Sequence, residues 1–452
     1  MAPTQKHKEQ TDNLQHIVEV LDNNDVDQIL HFLQDMHPAE IAHLLESLPG
    51  DLRHTLWEHI PREFDGEILA NLNDEVRNAL IQRMQPEQLV AATESLDTDD
   101  LADILPEMPQ DAAQELLLTM EQQDRERLRS VLSYDEDTAG GLMNLDNISI
   151  RADIQLDVVL RYLRRRNEIP PGTDNLYVVD RESRYLGVLP ITTLLISDPQ
   201  LIVEDVMQST ENAVAATMPA RDVANRFEHR DLISAPVVDD DGILLGRITI
   251  DDVVDVIRDD AEHSMMSMAG MNEEEDMFAP VFISARRRAL WLGVSLVSAL
   301  LAASVINIFQ STIQHLVALA ILMPIVASMG GVAGSQTMTL VIRGLALGQI
   351  SGSNARRLLN KELGVSALNG LMWAVVLASI AWFWFGNAKL SLVIGAAIII
   401  NLLVGAIAGA TLPLLLRRLG LDPALGGSVA VITITDIMGF FTFLGLATFF
   451  LS

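Results

Sequence analysis

The sequence predicts a multidomain membrane protein with an all-α superhelical N-terminal domain, an α/β module of two repeated units, and an α-helical membrane domain with five transmembrane helices. A division of charge, five long apolar runs and two internal repeats predict this. The chain has 452 residues and a net charge of −30, yet 49% of its residues are hydrophobic. From Arg286 onward, ten basic and three acidic side chains give +7, so the first 285 residues carry −37.

This composition disfavours several classes of protein. An acidic surface repels phosphate backbones, so we expect no nucleic-acid partner. The chain has no cysteine, which excludes disulfides and thiolate metal sites. Its polar start, MAPTQKHKEQTDN, lacks the apolar core of a signal peptide, so the acidic half is expected to be cytoplasmic. The sequence shows no P-loop, Ser/His/Asp grouping or HExxH motif, so no enzyme is expected.

The first part of the chain, residues 1–130, contains a twelve-residue repeat between positions 38 and 121. Apolar triplets recur in register, for example Leu44/Leu45/Leu48 and Leu80/Ile81/Met84, and prolines fall at the joints. This pattern predicts short stacked helices that form a small superhelix. Its surface is expected to be a solvated acidic face, on which four aspartates lie close together in the sequence. They are Asp97, Asp99, Asp100 and Asp103.

Residues 131–260 form the second predicted part. The segments LYVVDRESRYLGVLPITTLL (176–195) and APVVDDDGILLGRITIDDVV (235–254) each read as strand, turn, strand and helix start. A helical segment precedes each of them. The pattern resembles a tandem pair of CBS domains. The resemblance implies a regulatory module for an attached transporter or enzyme, and some such pairs bind adenine nucleotides.

Residues 251–285 predict an acidic helix that connects this module to the membrane. Asp252, Asp255 and Asp259 lie on one helical face at i, i+3 and i+7, with Asp260 and Glu262 nearby. One interpretation is a solvated, charged linker. The other is a set of carboxylates that approach further carboxylates in the folded protein and need a divalent ion to do so.

Five apolar runs follow Arg288, and each reaches the ~20 residues that a membrane-crossing helix needs. They span Ala289–Phe309, Leu316–Ile342, Leu363–Phe385, Leu390–Leu416 and Gly427–Leu451, within a membrane domain at 286–452. Each of the three basic clusters flanks the same side of the membrane if the N-terminus is cytoplasmic and the C-terminus is external.

Polar residues inside two spans suggest a cation pathway. Asp436 is the only carboxylate well inside a span, and helical spacing places Ile432, Thr433 and Gly439 on its face. A protonated, structurally hydrogen-bonded aspartate is the alternative. In the second span Pro324 can bend or break the helix, and the Gly330/Gly334 pair allows close packing or a backbone turned toward a pore.

The second span also supplies oxygen ligands. They come from Ser335, Gln336, Thr337 and Thr339. Hydroxyls, an amide, carbonyls and one carboxylate form a hard, oxygen-only environment that suits Mg²⁺ better than softer metals.

The whole arrangement resembles the MgtE family of magnesium channels and transporters. The motifs that carry the resemblance are GLMN (141–144), ITIDDVVDV (248–256), GGVAGSQTMTLVIRGLALG (330–348), LRRLGLDPAL (416–425) and TITDIMG (433–439). The resemblance implies a homodimer in lipid, in the bacterial inner membrane, with a pore lined by the second and fifth spans. It assigns the pore aspartate to Asp436, a pore carbonyl to Ile432 and a hydroxyl to Thr433.

The resemblance also assigns a gating helix to the connector, with sensor carboxylates at Asp252, Asp255 and Asp260. Two positions depart from the family pattern: His263 replaces a further acidic sensor residue, and Val332 replaces an asparagine after the two glycines of the second span. The predicted pore residues are Asp436, Thr433, Ile432 (backbone), Gln336, Ser335, Gly330 and Gly331. The predicted sensor residues are Asp99, Asp100, Asp103, Asp252, Asp255, Asp259, Asp260 and Glu262.

The predicted function is therefore gated, passive import of Mg²⁺, which closes when cytoplasmic Mg²⁺ bridges the acidic modules. A proton- or sodium-coupled divalent-cation transporter or exporter is the first alternative. A nucleotide-sensing membrane regulator without transport is the second.

Overall fold

The structure is a computed structural model, and it describes residues 17–21, 23, 26–34, 36–93, 96–166, 169–208, 212–271, 276–350, 354–424 and 426–451. The polar N-terminal segment and residues 272–275 of the acidic connector lie outside the described residues. The chain divides into two compact units. One comprises residues 1–260 with 274–279, and the other comprises residues 261–273 with 280–452.

The first unit begins with short helices that follow the predicted repeat. They are α1 (Val26–Leu33), α2 (Pro38–Glu46), α3 (Gly50–Trp57), α4 (Asp65–Ala70), α5 (Asp74–Ile81), α6 (Pro86–Thr93), α7 (Thr98–Ile104), α8 (Gln110–Thr119) and α9 (Gln122–Val131). Single 3-10 turns lie at Arg62–Phe64 and Leu105–Glu107. The apolar triplets of the repeat form a continuous core that includes Leu45, Leu56, Ile68, Leu80 and Ile104. The predicted stacked helices are confirmed.

Two three-stranded sheets follow, one in each CBS-like repeat. The elements are β1 (Ser149–Arg151), α10 (Leu156–Arg165), β2 (Asn175–Val179), β3 (Tyr185–Pro190), α11 (Ile191–Ile196), α12 (Val203–Val206), β4 (Val214–Ala215), α13 (Ala220–Arg230), β5 (Ser234–Val238) and β6 (Leu244–Thr249). In each sheet the first pair of strands is parallel and the second pair is antiparallel. The strand, turn, strand and helix order predicted for both repeats is confirmed.

The helix α14 (Ile250–Met268) begins directly after β6, as the acidic connector predicts. Five long apolar helices and one short helix follow it. They are α15 (Val281–Ile308), the short α16 (Gln310–His315), α17 (Ala318–Ala346), α18 (Ala355–Phe385), α19 (Ala388–Arg418) and α20 (Gly427–Leu451). The five long helices have the length and hydropathy to cross a membrane, which confirms the five predicted spans.

The second span differs from one expectation. Pro324 lies inside α17, yet the helix runs unbroken for 29 residues. Proline removes only one backbone hydrogen-bond donor. In an apolar environment each further unpaired backbone group would be costly, so the remaining helical hydrogen bonds are retained and the helix stays intact. The interruption that Pro324 suggested is therefore absent, and α17 presents side chains rather than an unwound backbone.

Glycines bring α17 and α19 into backbone contact. A Cβ atom added at Gly405 would lie 2.8 Å from the carbonyl oxygen of Gly330, and one at Gly409 would lie 2.3 Å from that of Gly334. Both helices thus carry a GxxxG pair, and the two pairs face each other, which is the close-packing arrangement that small residues permit in membranes. Because Gly330 and Gly334 face α19, the opposite face of α17 does not contact that helix.

Candidate functional site

A cavity of about 670 Å³ lies between α17 and α20. Its wall consists of Ala327, Ser328, Gly331, Val332, Ser335, Gln336, Thr339, Ile432 and Asp436. The α17 residues recur at three- and four-residue spacing, so they form one stripe along the helix, and Ile432 and Asp436 lie one turn apart on α20. We call this the α17–α20 cavity.

Several side chains that line the α17–α20 cavity carry oxygen atoms that can bind a metal ion. Asp436 supplies a carboxylate, Ser328, Ser335 and Thr339 supply hydroxyls, and Gln336 supplies an amide. No Lys, Arg or His occurs among the lining residues that the structure describes. A half-buried carboxylate with hydroxyl and amide oxygens beside it is a chemical environment for a hard, partly hydrated cation.

The structure brings together most of the predicted pore residues. Asp436, Ile432, Gln336, Ser335 and Gly331 all line the α17–α20 cavity, as does the departing position Val332, whose exposed fraction is 56%.

Two predicted pore residues lie outside this lining. The Thr433 hydroxyl donates to the carbonyl oxygen of Val429 at 2.7 Å, a bond within its own helix. Gly330 faces α19, where a Cβ atom would lie 2.1 Å from Nδ2 of Asn401. Adjacent residues of a helix point about 100° apart, so Gly331 reaches the cavity while Gly330 packs against α19.

Asn401, on α19, contacts both helices that line the α17–α20 cavity. Its side chain is fully buried, and its Nδ2 donates to the carbonyl oxygen of Val326 at 2.8 Å. A Cβ atom at Gly439 on α20 would lie 2.7 Å from the same Nδ2. Asn401 therefore touches both helices that line the cavity, which is the helix-bridging role that an amide has inside a membrane domain.

Sequence reasoning left Ser328 out of the predicted pore, although a signal for it was present. Ser328 lies seven residues before Ser335 and eleven before Thr339, so continuing the same helical stripe by two turns finds it.

In the first unit, α7 and the start of α14 hold carboxylates close to one another. Burial raises the pKa of Asp99 well above its usual range, and the charges of Asp252, Asp100 and Asp97 add to the rise. One carboxylate oxygen of Asp99 is buried without a hydrogen-bond partner. Burial followed by the charge of Asp251 raises the pKa of Asp252 to about 7. Desolvated acids that repel one another favour either protons or a bound cation.

Two further carboxylates extend this acidic cluster, which we define as Asp99, Asp100, Asp103 and Asp252. Burial and then the charges of Asp97 and Asp251 raise the pKa of Asp100 to about 6. Asp103 is exposed at the surface, yet desolvation by the surrounding protein atoms and the charge of Glu136 raise the pKa of its carboxyl to about 7, against the opposing effect of Arg77. Sequence reasoning missed Asp251 and Glu136, because their sequence neighbours gave no sign that they approach α7.

The other predicted sensor residues have different surroundings. Asp255 and Asp259 lie 3.2 and 3.3 Å from Arg258, and Asp260 lies 2.8 Å from Arg221. Glu262 is exposed. Within the described part of the chain, no three acidic or imidazole groups converge as a ready metal site. Mg²⁺ does not need such a group, because it retains several waters and binds through one or two carboxylates.

Within the second unit, His263 lies close to the loop between α19 and α20. Its Nε2 lies 3.3 Å from Oδ2 of Asp422, in the loop between α19 and α20. One turn further along α14, the carbonyl oxygen of Met268 accepts a 2.6 Å hydrogen bond from the hydroxyl of Ser428, at the start of α20. The C-terminal end of α14 is thus bonded to the helix that carries Asp436.

Five helices that can span a membrane define a multi-pass membrane protein, and the oxygen-lined cavity between two of them is its candidate cation site. Three family models match the chain: the MgtE intracellular N domain at residues 36–137, a CBS domain at 203–259, and the MgtE divalent cation transporter at 323–446. The magnesium transporter MgtE of Thermus thermophilus is 30% identical over 435 residues, which cover 95% of this chain and 96% of that protein. The chain belongs to the MgtE family of magnesium transporters.

The chain is also similar to a second curated relative and, over part of its length, to a solved structure. The magnesium transporter MgtE of Bacillus subtilis is 26% identical over 419 residues, and the match covers 93% of each chain. A crystal structure of the cytosolic domain of the Mg²⁺ channel MgtE in complex with ATP is 30% identical to the corresponding part, with a TM-score of 0.48. That match covers 53% of this chain and 98% of that one.

Proposed function

We propose that the protein is a gated Mg²⁺ channel that imports Mg²⁺ passively and closes when the ion is abundant inside. The observation that carries the proposal is the α17–α20 cavity, whose wall combines the carboxylate of Asp436 with hydroxyl- and amide-bearing side chains and, among the lining residues that the structure describes, no basic one. Mg²⁺ gives up its waters reluctantly, so a site that offers one carboxylate and several neutral oxygens suits a partly hydrated ion.

The pathway in this proposal is completed by a second copy of the chain. A cavity lined by only two helices has an open side, and a homodimer whose two-fold axis passes beside Asp436 would enclose it with the same residues from both subunits. Two carboxylates would then share one cation, which offsets the cost of holding each charge in the membrane.

The acidic cluster is the proposed sensor. Its carboxylates are desolvated and repel one another, so the compact arrangement is costly when they are ionised. An intracellular Mg²⁺ ion bound between α7 and α14 would offset that cost in the compact state alone. This differential affinity is what lets a ligand shift a conformational equilibrium.

The orientation follows from the basic residues at the membrane boundary. With the N-terminus in the cytoplasm and the C-terminus outside, the clusters at 286–288, 343–361 and 417–418 all face inward in the bacterial inner membrane. The acidic half then monitors the compartment that receives the ion, as negative feedback requires.

Ion flux into proteoliposomes tests the pathway. With the purified protein and no proton or sodium gradient, we expect Mg²⁺ to enter, and the neutral, shape-matched Asp436→Asn variant to lose at least about 90% of that flux because the site loses its charge. Flux that appears only with a proton or sodium gradient would replace the channel with a coupled transporter. Full flux through Asp436→Asn would contradict the assignment of Asp436.

The CBS pair adds a second proposed ligand, an adenine nucleotide. The support is the match to the CBS family and the two complete repeats that the structure shows. Equilibrium binding of ATP and AMP to the full-length protein, with and without Mg²⁺, tests it. No saturable binding of either nucleotide would remove this part of the proposal.

A further inference from the structure

A second cavity, of about 420 Å³, lies where α17 ends and α18 begins. Its lining residues are Leu340, Gly344, Gln349, Ile350, Asn354, Arg357, Leu358 and Lys361. None of them belongs to the α17–α20 cavity. We call this second space the α17–α18 cavity.

The wall of the α17–α18 cavity is held by backbone bonds. The amides of Gln349 and Ile350 both donate to the carbonyl oxygen of Gly344, at 2.9 and 3.1 Å. Nδ2 of Asn354 donates to the carbonyl oxygen of Gln349 at 2.7 Å. A Cβ atom at Gly344 would lie 2.6 Å from the end of the Ile350 side chain, so the absence of a side chain at Gly344 lets Ile350 pack against α17.

Two cations border the cavity. Arg357 and Lys361 lie one turn apart on the first two turns of α18, and no carboxylate occurs among the lining residues that the structure describes. Nζ of Lys361 lies 2.9 Å from Oε1 of Glu362, while Arg357 has no ion-pair partner within the described ranges. A guanidinium with free N–H groups, near the positive end of a 31-residue helix, suits a phosphate group.

Apolar side chains share the same cavity. Leu340 belongs to a membrane-spanning helix and is 40% exposed, and Leu358 lies beside the two cations on α18. A free phosphate gains nothing from such residues, whereas a phospholipid places its phosphate beside cations and its acyl chains along an apolar surface. The basic residues also mark the membrane boundary that the sequence predicts to be cytoplasmic, where anionic lipids interact with basic pockets between helices.

We propose that the α17–α18 cavity binds the phosphate group of an anionic membrane phospholipid, with Arg357 and Lys361 as its main contacts. The amides of Gln349 and Asn354 complete the polar side, and Leu340 and Leu358 contact the acyl chains. The proposed lipid would bridge the end of α17, which carries the pore-lining stripe, and the start of α18.

Native mass spectrometry and thermal unfolding of the full-length protein test the proposal, in nanodiscs of phosphatidylcholine alone or with phosphatidylglycerol. We expect preferential retention of phosphatidylglycerol and a higher unfolding midpoint in its presence. The double variant R357Q/K361Q should bind this lipid about tenfold more weakly for each cation removed, because charge-assisted hydrogen bonds are lost.

Two control variants separate charge at this site from charge elsewhere and from misfolding. R417Q/R418Q removes the same charge at the end of α19, outside the cavity, and should keep the preference for phosphatidylglycerol. R357K/K361R keeps the charge in place and should also keep it. Equal retention by wild type and R357Q/K361Q would overturn the proposal, as would loss in R357K/K361R.

A further arm distinguishes the source of the phosphate. Inorganic phosphate is added to nanodiscs that contain phosphatidylglycerol, at millimolar concentration and constant ionic strength. We expect it to leave lipid retention unchanged, because it cannot use the apolar wall. Complete displacement of phosphatidylglycerol by inorganic phosphate would assign the site to a soluble anion and overturn the lipid proposal.

Discussion

Arg53 and Asp276 form a bidentate ion pair across 223 positions of the chain, with distances of 2.9 and 3.1 Å. Their side chains are only 4% and 9% exposed. Arg53 also donates to the carbonyl oxygens of Leu45 and Leu48, and the amide of Asp276 donates to Glu75 at 2.7 Å. The N-terminal helical repeat is thereby fixed to the segment that leads directly into α15.

Removing one partner of this pair should destabilise the first unit. Asp276→Ala leaves the Arg53 guanidinium buried without its carboxylate, which typically costs about 3–5 kcal/mol. Thermal unfolding of the full-length protein in detergent measures this effect, and Asp240→Ala provides an exposed control. A double-mutant cycle with Arg53→Met should show strong coupling, since the second substitution removes the uncompensated charge. Additive effects would contradict the pairing.

The stability of the first unit should depend on pH in a specific direction. Burial and neighbouring carboxylates raise the pKa of Asp100 to about 6 and that of Asp252 to about 7 in the folded state, above their usual value of 3.8. The folded state therefore binds more protons than the unfolded state between about pH 4 and 7, and stability should fall as pH rises through this window. In EDTA we expect the unfolding midpoint at pH 7.5 to lie at least ~2–4 °C below that at pH 5.5.

Added Mg²⁺ should reverse this loss at pH 7.5 and have little effect at pH 5.5, where protons already neutralise the acidic cluster. An unfolding midpoint in EDTA that rises with pH across this window would contradict the assignment of these carboxylates.

Asp252→Asn should imitate bound Mg²⁺. The neutral amide removes repulsion from Asp99, Asp100 and Asp251, so the variant should resist proteolysis within residues 141–276 even in EDTA. For the wild type, Mg²⁺ should slow that digestion several-fold. Glu182→Gln, on an exposed turn, is the matched control and should retain the wild-type response. Digestion of the wild type at one rate with and without Mg²⁺ would be incompatible with Mg²⁺ feedback.

Val332 should influence ion selectivity. It places an aliphatic group in the α17–α20 cavity, where an amide would hydrogen-bond the water shell of the ion. Val332→Asn should raise the ratio of Mg²⁺ flux to Co²⁺ and Mn²⁺ flux several-fold in proteoliposomes that receive Mg²⁺, Co²⁺, Mn²⁺ or Ca²⁺ separately. Val332→Ile keeps an aliphatic group and should leave the ratio unchanged. An unchanged ratio in Val332→Asn would show that this position does not order the ion's waters.

Gly409→Ala should loosen the contact between α17 and α19. Its Cβ atom would lie 2.3 Å from the carbonyl oxygen of Gly334, so the two backbones would have to separate, at a cost of about 1–3 kcal/mol. Gly364→Ala is the control, because nothing lies within 4 Å of its Cβ position and alanine favours a helix. Thermal unfolding in detergent should separate the two variants. A midpoint for Gly409→Ala equal to wild type would show that the helices adjust freely.

Hydropathy alone predicted the five spans. A helix needs a long apolar sequence to cross a membrane, and such sequences are rare in soluble proteins. The apolar run begins at Ala289, whereas the helix α15 begins eight residues earlier, at Val281, and includes Arg286–Arg288. Backbone hydrogen bonds need no apolar side chains, so a helix can extend beyond the hydrocarbon and hydropathy cannot mark its end. Short apolar runs bounded by turn residues predicted the strands of both repeats for a similarly local reason.

Within the candidate site, helical periodicity predicted that Ile432 and Asp436 share a face of α20. Ser335 and Gln336 were predicted from the oxygen atoms that their side chains supply. Periodicity could not decide whether Gly330 faces the cavity or α19, because that depends on where the neighbouring helix lies. The electrostatic interaction between Asp99 and Asp252 joins residues that are even farther apart in the sequence. Local patterns carry no information about which segments meet across 150 residues, so Asp251 and Glu136 were missed.

Within the second unit, the hydrogen bond between Ser428 and Met268 links the end of α14 to the helix that carries Asp436. Ser428 lies eight residues before Asp436 on one uninterrupted helix, a separation of about 12 Å at 1.5 Å per residue. A helix resists axial compression, so a push or pull on its first turn displaces the carboxylate by nearly the same amount. In the proposed gating, a displacement of the end of α14 would therefore reach Asp436 through a rigid helical segment about two turns long.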